Sequence, residues 1–516
     1  MLLVVVAAAL MLRIWSASQC GIVNPDAAIY IHQARAMHYG EWDELGSGSV
    51  SFVTPYPALI AAANVLVGDW IIAARTVSIV FSMLTLIVLY PLVRTFFDRD
   101  ISLLLLLIYA FNPLFVSSGV DVIKDPASWF FVVAGMLAFV KGTSSCRPIL
   151  VLSSSVLFLF AAWMRIEALI FLLGSGIFLL LERSNCKGKS ILMFLAPLLA
   201  GFLLGVAALF LTQRSEILWA RLGEIGPRME MSIGGYQSLR HGLRALSADP
   251  PPGMPPEYFD QLRSITWLVG IGVVVRNTIE AYYAPFFALF LLGLVQSRGG
   301  WRGDPRAKYF SLLLGLLAVF FYVFIFSCWV LEQRWLGTAV LASFFFVGQG
   351  LVVVRNFAVD RFRLQSARAL AALAVIIAIV ALPKTVLPRE QDKAVFLEIS
   401  AAMAPARMSA NEIEILAPAH AIRWLSLYAN KDVQGAPYPD EFNYSKQAPA
   451  LAADSYEAFV ENLRSRKIRY VLWAENHWPK NSFDLLVSYK HSDLKKIGEW
   501  RHRDTGSMVL FEVRNL

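Results

Sequence analysis

Residues 101–117 read ISLLLLLIYAFNPLFVS, a run without a charged side chain. A helix of about 17–25 predominantly apolar residues is long enough to span a lipid bilayer. Apolar segments of similar character recur at residues 1–18, 72–97, 127–141, 148–164, 166–182, 190–212, 283–296, 309–330, 335–354 and 368–384. The sequence therefore predicts an α-helical polytopic membrane protein with about ten or eleven transmembrane helices.

The overall composition agrees with this class. Of the 516 residues, 57% are hydrophobic and 16% are charged, whereas soluble domains carry about 25% charged residues. The net charge of +8 would suggest a nucleic-acid partner in a soluble protein, but here the basic residues follow membrane topology, and we expect no nucleic acid. The four cysteines show neither a CxxC motif nor paired spacing, so we expect small apolar residues rather than a disulfide or zinc framework.

Lysine and arginine are distributed unevenly between alternate loops. One set of loops is rich in them: Arg94, Arg99, Lys141, Arg147, Arg183, Lys187, Lys189, Arg298, Arg302, Arg306, Lys308, Arg355, Arg361, Arg363 and Arg368. The short connections of the other set hold Arg35, Lys124, Arg165 and Arg334. Basic loops stay in the cytoplasm, so the first set is predicted to be cytoplasmic in a multi-pass protein of the cell inner membrane. The first helix is expected to be retained, because Arg13 interrupts it and no basic residue precedes it.

This topology places three larger pieces outside: the loops 19–71 and 213–282, and the tail 385–516. We predict a transmembrane catalytic domain over 1–384 and a small extracytoplasmic α/β domain over 385–516. Within the tail, the pattern predicts strands at Glu412–Pro418 and Ile468–Trp473, helices at Ala421–Ala429 and Tyr456–Ser465, and a hairpin of 497–501 and 508–513 with its turn at 504–506. The prolines of residues 249–256 exclude helix there and favour an extended connector.

The first outer loop contains a candidate general base. Asn24, Pro25 and Asp26 resemble a helix start, which would place Asp26 near the positive end of a helix dipole. Tyr30 would share its face at i, i+4. Taken alone, Asp26 is better explained as a helix cap; the alternative is a carboxylate that accepts a proton during catalysis.

Further ionisable residues gather on the same predicted side of the membrane. They are Lys124 and Asp125 before one helix, Arg165 and Glu167 at a sharp turn, Glu332 and Arg334 at a helix end, and Arg13 and Arg75 near the outer ends of the first two helices. Single residues of this kind can be snorkelling side chains, but charged groups at membrane spans are costly and tend to mark functional positions. Arginines bind phosphate oxygens in bidentate fashion, so the group suits an anionic lipid phosphate.

In order and spacing, these features resemble the GT-C glycosyltransferases, particularly the branch similar to protein O-mannosyltransferases and lipid A aminoarabinose transferases. The resemblance rests on Asp26–Tyr30, Pro55–Leu59, Ala73-Ala74-Arg75, Asn112-Pro113 and Arg334-Trp335, and is most specific over residues 1–180. It implies that Asp26 is the catalytic base, Asp125 a second active-site acid, and Arg75, Lys124, Arg165 and Arg334 ligands of the donor phosphate. Tyr30, Glu167 and Glu332 are assigned to substrate binding. Many relatives have Asp-Glu where this chain has Asp26-Ala27, which weakens a metal-binding role.

The sequence thus predicts a glycosyltransferase that moves a sugar from a polyprenyl-phosphate donor to an envelope protein, lipid A or another glycan. A transporter or flippase of lipid-linked glycans and a non-catalytic assembly partner are the alternatives. No P-loop, GxGxxG or HExxH motif is present. No cofactor is predicted with certainty, and a divalent metal is open but not supported. His32 and His38 are expected to be surface residues.

Overall fold

The fold is described from a computed structural model of the chain. The described residues are 1–46, 53–182, 186–212, 225–297, 304–403, 413–439, 455–479 and 483–515, with side chains described at 186–204 and 230–297 within the third and fourth ranges. Of the predicted features, residue 412, residues 213–224 of the second outer loop, and the basic residues Arg183, Arg298 and Arg302 lie outside this part.

The described chain is mainly helical. In chain order the helices are α1 (Leu2–Gln19), α2 (Asp26–Tyr39), α3 (Pro55–Val67), α4 (Trp70–Arg94), α5 (Arg99–Phe111), α6 (Pro113–Val120), α7 (Asp125–Ser144), α8 (Pro148–Met164), α9 (Leu169–Leu181), α10 (Lys187–Thr212), α11 (Ile225–Ala248), α12 (Pro256–Tyr282), α13 (Ala284–Ser297), α14 (Pro305–Cys328), α15 (Gly337–Ala342), α16 (Phe344–Phe362), α17 (Ser366–Val386), α18 (Val395–Ala402), α19 (Ala419–Ala429), α20 (Tyr456–Ser465) and α21 (Leu485–Ser488).

Each predicted apolar segment coincides with one of these helices or a bent pair of them. Within the described residues, six helices are long and apolar enough to cross a membrane, or up to nine if each bent pair is one span. The pairs α5–α6, α12–α13 and the segment Gln333–Ala342 with α16 bend by 54°, 106° and 65°. The predicted ten or eleven spans exceed this count because α8 and the segment Ile166–Leu181 are shorter apolar helices. The predicted membrane class is confirmed.

The predicted second outer loop contains more helix than the sequence indicated. Within 213–282, α11 and α12 occupy Ile225–Ala248 and Pro256–Tyr282. The proline-rich residues between them are not helical, as predicted. Pro256 is the first residue of α12, a position where the missing N–H of proline costs the helix no hydrogen bond. Because α12 has little amphipathic periodicity, no helical pattern marked it in the sequence.

The chain forms two compact units. Unit 1 comprises Met1–Arg13, Ile79–Gly119 and Lys124–Val386. Its interior holds large side chains without solvent exposure, among them Trp129, Tyr109 and Phe115. Arg13 is also fully buried there: its Nε donates to Ser82 Oγ at 2.7 Å and its guanidinium lies over the ring of Tyr109. Because a buried charge must be compensated by hydrogen bonds, this arginine is a structural element of the helix packing.

Unit 2 comprises Ile14–Ser78, Val120–Ile123 and Leu387–Leu516. It contains one sheet in the order β1-β2-β4-β3, with β1 at Ile415–Leu416, β2 at Tyr470–Ala474, β3 at Leu494–His502 and β4 at Gly506–Val513. β1 pairs with β2 in parallel, and the other pairs are antiparallel. The predicted tail helices and hairpin agree with α19, α20 and β3–β4. Ile22, from the first outer loop, packs into the core formed by the tail.

The cysteine prediction is wrong for two of the four residues. Cys146 and Cys186, 40 positions apart, form a disulfide with a Cα–Cα distance of 5.8 Å. Cys20 and Cys328 are free thiols. The pairing was invisible in the sequence because it depends on the α7–α8 and α9–α10 connections lying side by side, which no local spacing reveals.

The compartment of this cysteine pair gives a test of the predicted topology. Both connections belong to the basic loops that are predicted to be cytoplasmic, so in intact cells we expect the bond that the structure shows to be reduced to two thiols. In a variant with Cys20→Ser and Cys328→Ser, we expect a membrane-permeant maleimide to label both remaining cysteines in intact cells, and an impermeant maleimide to label neither. Labelling by the impermeant reagent after mild external reduction would place these loops outside and reverse the predicted orientation.

Candidate active site

The first cluster of predicted site residues lies in unit 1, at the start of α7. Lys124 precedes the helix, Asp125 is its first residue, and Pro126 follows it. Proline is favoured at the start of a helix, and a carboxylate there interacts favourably with the helix dipole. The side chain of Asp125 is only 1% exposed. A carboxylate so deeply buried needs a cationic partner.

Arg165 is that partner. It follows the last residue of α8 in an extended conformation, and its Nη1 contacts Asp125 Oδ1 at 2.6 Å. The same guanidinium donates from Nε and Nη2 to the two carboxylate oxygens of Glu167, at 3.3 Å each. It also lies over the ring of Trp335. The structure therefore brings together three of the predicted site residues, and Arg165 contacts two carboxylates and one aromatic ring.

The charge of Arg165 reflects this environment. Burial disfavours the charged form, but the carboxylates of Asp125 and Glu167 outweigh it and raise the pKa of the guanidinium above its ordinary value. Arg334 lies near enough to act in the opposite direction. Arg165 is thus a permanent cation, and much of its hydrogen-bonding capacity is directed at carboxylates.

Arg334 and Glu332 form a second ion pair in unit 1, with Arg334 Nε and Glu332 Oε2 2.5 Å apart. The Arg334 side chain is 13% exposed and that of Glu332 is 43% exposed. The turn that carries them approaches α7 closely, because a Cβ on Gly337 would lie 2.5 Å from the ring of Trp129. A side chain at Gly337 would therefore push the ion pair of Arg334 and Glu332 away from α7.

The second cluster lies in unit 2 and is centred on Asp26. Asp26 is the first residue of α2, and its backbone N–H donates to Asn24 Oδ1 at 3.0 Å. Its carboxylate Oδ1 lies 3.4 Å from Nη1 of Arg423, and the Asp26 side chain is 34% exposed. The carboxylate is thus held by a cation and still accessible to a reactant.

Arg423 was not identified from the sequence. It comes from α19 in the tail, 397 positions from Asp26. Its neighbour Trp424 donates from Nε1 to the carbonyl of Val23 at 2.7 Å, and the hydroxyl of Tyr428 accepts from the N–H of Val23 at 3.0 Å. These two bonds fix α19 against the residues before α2. The only sequence signal was a lone arginine in an otherwise apolar helix.

Two other predicted residues of unit 2 are engaged in structural contacts. Tyr30 is buried, with its ring edge-on to Tyr56 at 5.4 Å between centroids. Arg75 donates to the backbone carbonyls of Ala17 and Cys20, at the end of α1. Cations near a helix C-terminus complement its exposed carbonyl groups. The roles of Tyr30 in substrate binding and of Arg75 in donor-phosphate binding stay predictions.

The histidine expectation is half wrong. His38 is exposed, but His32 is buried, and its ring nitrogens lie 3.1 Å from the carbonyls of Pro437 and Glu44. The sequence did not show that the tail covers this face of α2. Among the described residues, no group of three or more histidine, cysteine, aspartate or glutamate side chains is arranged to hold a metal ion.

Comparison with known proteins finds a matching family model and solved structures with a similar architecture. Residues 53–210 match the family model described as dolichyl-phosphate-mannose-protein mannosyltransferase, over less than a third of the chain. The fold is similar to that of ArnT from Cupriavidus metallidurans bound to undecaprenyl phosphate, with a TM-score of 0.57 and 12% identity over 99% of this chain and 98% of that one. It is also similar to the Archaeoglobus fulgidus oligosaccharyltransferase in its apo form, with a TM-score of 0.57 and 11% identity over 92% and 69%. Curated proteins gave no sequence match.

The chain therefore has the fold of the GT-C membrane glycosyltransferases. The predicted fold class, a GT-C-like polytopic membrane protein, is confirmed by this structural similarity. The matched segment, which contains α3 through α9, is similar in sequence to the mannosyltransferase family in particular. Neither comparison favours the transporter alternative.

Proposed function

We propose that the protein transfers a sugar from a polyprenyl-phosphate donor to an acceptor of the cell envelope, a protein, lipid A or another glycan, on the outer face of the membrane. The donor class is supported by the fold shared with ArnT, whose structure contains undecaprenyl phosphate. The observation that carries the proposal is Asp26, an accessible carboxylate paired with a guanidinium in unit 2.

Asp26 is assigned the role of general base. In the proposed step the acceptor hydroxyl or amine attacks the anomeric carbon, and its proton passes to an Asp26 carboxylate oxygen. The bond between the anomeric carbon and the phosphate oxygen breaks, and the lipid phosphate leaves with the bonding pair. In-line attack of this kind inverts the anomeric configuration. Arg423 serves as the positioning residue, because its contact fixes the orientation of the carboxylate.

The predicted phosphate ligands differ in how well their contacts suit that role. Arg165 already contacts Asp125 and Glu167, so we assign it to holding these carboxylates in place. Arg334 pairs with Glu332, whose side chain is 43% exposed, so this carboxylate can turn to solvent and be exchanged for a phosphate. We therefore assign Arg334 to the donor phosphate first, with Lys124 and Arg75 as further candidates.

The arginine assignments predict different effects of two substitutions. With a synthetic polyprenyl-phosphate sugar and the purified protein, Arg334→Ala should raise the donor KM about tenfold or more, since a charge-assisted hydrogen bond contributes about 1.5–3 kcal/mol and about 1.4 kcal/mol is a factor of ten. Arg75→Ala should raise the donor KM and also lower Tm, because it removes two bonds to backbone carbonyls.

The exposed Arg276, whose side chain is 79% accessible, provides the control. Arg276→Ala should leave the donor KM unchanged. A donor KM unaltered in both Arg334→Ala and Arg75→Ala would remove these arginines from the phosphate site.

The overall function is tested by mass spectrometry of envelope glycans, lipid A and glycoproteins from a deletion strain. We expect one sugar to be missing from one acceptor, with its lipid-linked donor accumulating on the outer leaflet. Complementation by the wild-type gene should restore it, and complementation by the Asp26→Asn variant should not. Accumulation of the donor on the inner leaflet would instead indicate transport, and full rescue by Asp26→Asn would indicate a non-catalytic role.

A further inference from the structure

Unit 1 contains a cavity that the proposed function does not use. It has a volume of about 520 Å³ and lies between the ends of α7, α9, α10 and α14. The cluster around Asp125 is at the first residue of α7, whereas the cavity is lined by its last turns, from Phe139 to Ser144. A helix of 20 residues is about 30 Å long, close to the thickness of the hydrocarbon core of a bilayer. The cavity therefore lies at the opposite end of unit 1 from Asp125.

The floor of the cavity is aromatic and rigid. The rings of Phe139 and Tyr309 stack with 4.7 Å between centroids, and Phe178 meets Tyr309 edge-on at 5.2 Å. The Tyr309 hydroxyl is hydrogen-bonded to Ser175 Oγ at 2.8 Å. Its polar group is therefore satisfied, and Tyr309 presents its ring to the cavity. All three aromatic side chains are buried. This floor suits an apolar chain or ring.

The rim of the cavity carries charges of both signs. Lys187 donates from Nζ to the carbonyl of Leu180, and Arg306 donates from Nη1 to the carbonyl of Thr95 at 3.2 Å. An ammonium has three N–H donors and a guanidinium five, so each cation retains donors beyond the bond described. Glu182 and Asp304 line the same cavity. Among the described lining residues, the two cations are thus matched by two carboxylates.

The cysteine pair lies directly beside this cavity. Cys146 comes two residues after Ser144, and Cys186 immediately precedes Lys187. The Cα atoms of the two cysteines are 5.8 Å apart, so the end of α7 and the start of α10 lie close together at the rim.

We propose that this cavity binds the headgroup and upper chain of a zwitterionic phospholipid. Lys187 and Arg306 would contact the phosphate, Glu182 and Asp304 the ammonium group, and the aromatic floor the glycerol and the first methylenes. A cavity of 520 Å³ is within the range of about 300–1,000 Å³ typical of ligand sites. Glu182 and Asp304 favour a zwitterion over an anionic lipid, because they offer a partner to an ammonium group that the anionic lipid lacks.

The same end of unit 1 is the one with many lysines and arginines, among them Lys141, Arg147 and Lys189. Basic residues flanking membrane spans face the cytoplasm, so the lipid would come from the inner leaflet. A free phosphorylated amine of the cytosol has the same charged groups but lacks the acyl chain. The aromatic floor distinguishes between these two ligands, because only a lipid has an acyl chain that can pack against it.

The test uses the full chain, purified in detergent and analysed by native mass spectrometry during titration with phosphatidylethanolamine, phosphatidylglycerol or phosphoethanolamine. We expect phosphatidylethanolamine to bind with one preferred site and at least tenfold more tightly than the other two. The variant Lys187→Ala/Arg306→Ala should weaken this binding at least tenfold. The matched variant Lys189→Ala/Lys308→Ala removes two exposed cations from the same helices and should leave it unchanged.

Two further measurements keep the outcome decisive. A diazirine-bearing phosphatidylethanolamine in vesicles should cross-link to the peptides containing Phe139–Ser144 or Phe178–Glu182, and Thr143→Trp, which fills the cavity, should abolish this cross-link while Tm stays within a few degrees of wild type. Equal binding of the lipids, tighter binding of phosphoethanolamine, or equal weakening in both lysine-containing double variants would overturn the proposal. None of these readouts depends on sugar transfer.

Discussion

The Asp26→Asn variant should lose about 10²- to 10⁴-fold in the rate of sugar transfer. Asparagine keeps the size and the hydrogen-bonding shape of the side chain but cannot accept the acceptor's proton, and a positioned general base contributes about that factor. The measurement is transfer from a synthetic polyprenyl-phosphate sugar by purified protein, with Tm and monodispersity recorded in parallel. The fold should be retained, because asparagine has nearly the size and shape of aspartate and the contact with Arg423 at 3.4 Å is weakened rather than lost.

Asp43 supplies the matched control, since it is an exposed carboxylate of the same outer loop. Asp43→Asn should transfer sugar at the wild-type rate. Arg423→Gln should keep part of the activity and shift the pH profile of kcat, which a purely structural residue would not do. Near-normal transfer by Asp26→Asn would remove this carboxylate from catalysis, whatever the other variants show.

The Arg165→Ala variant should be destabilised by about 3–5 kcal/mol, the usual consequence of leaving one partner of a buried ion pair alone. Asp125 is 1% exposed and lies 2.6 Å from the guanidinium, so its charge would have no compensation after the substitution. Thermal unfolding of the purified protein in detergent measures the effect. The stability of Arg165→Lys should lie between those of the wild type and Arg165→Ala. Lysine keeps the charge but cannot contact Asp125 and both oxygens of Glu167 with one planar group.

The double variant Asp125→Asn/Arg165→Ala distinguishes an ion pair from packing. It should be more stable than Arg165→Ala alone, since the uncompensated charge is gone. The exposed pair of Arg276 and Glu280 is the control, and its loss should cost at most about 1 kcal/mol. If the double variant were less stable than Arg165→Ala, the contact with Asp125 would not be the source of the stability.

The fold was predictable wherever it depends on local composition. Segments such as 101–117 and 309–330 must be helical to satisfy their backbone groups in lipid, and they correspond to α5–α6 and α14. The hairpin of β3 and β4 followed from alternating residues around the turn at Gly506. In contrast, α12 carries polar residues on several faces, and its length became apparent only in the structure.

The candidate site was predictable in part. The gathering of Asp125, Arg165 and Glu167 followed from topology, because helix ends on one side of a bundle must be neighbours. The structure added which atoms meet, and that Arg165 serves carboxylates. Arg423 and the disulfide of Cys146 were not predictable, since both join positions that are distant in sequence and that no periodicity connects.

The contact between Asp26 and Arg423 also has a consequence for biosynthesis. Asp26 emerges early from the ribosome, while its partner is 397 positions further along the chain. A polypeptide that ends before α19 contains every predicted membrane segment but lacks the guanidinium that, in the proposed mechanism, orients the base. Such an incomplete chain should therefore transfer sugar more slowly than the full-length protein.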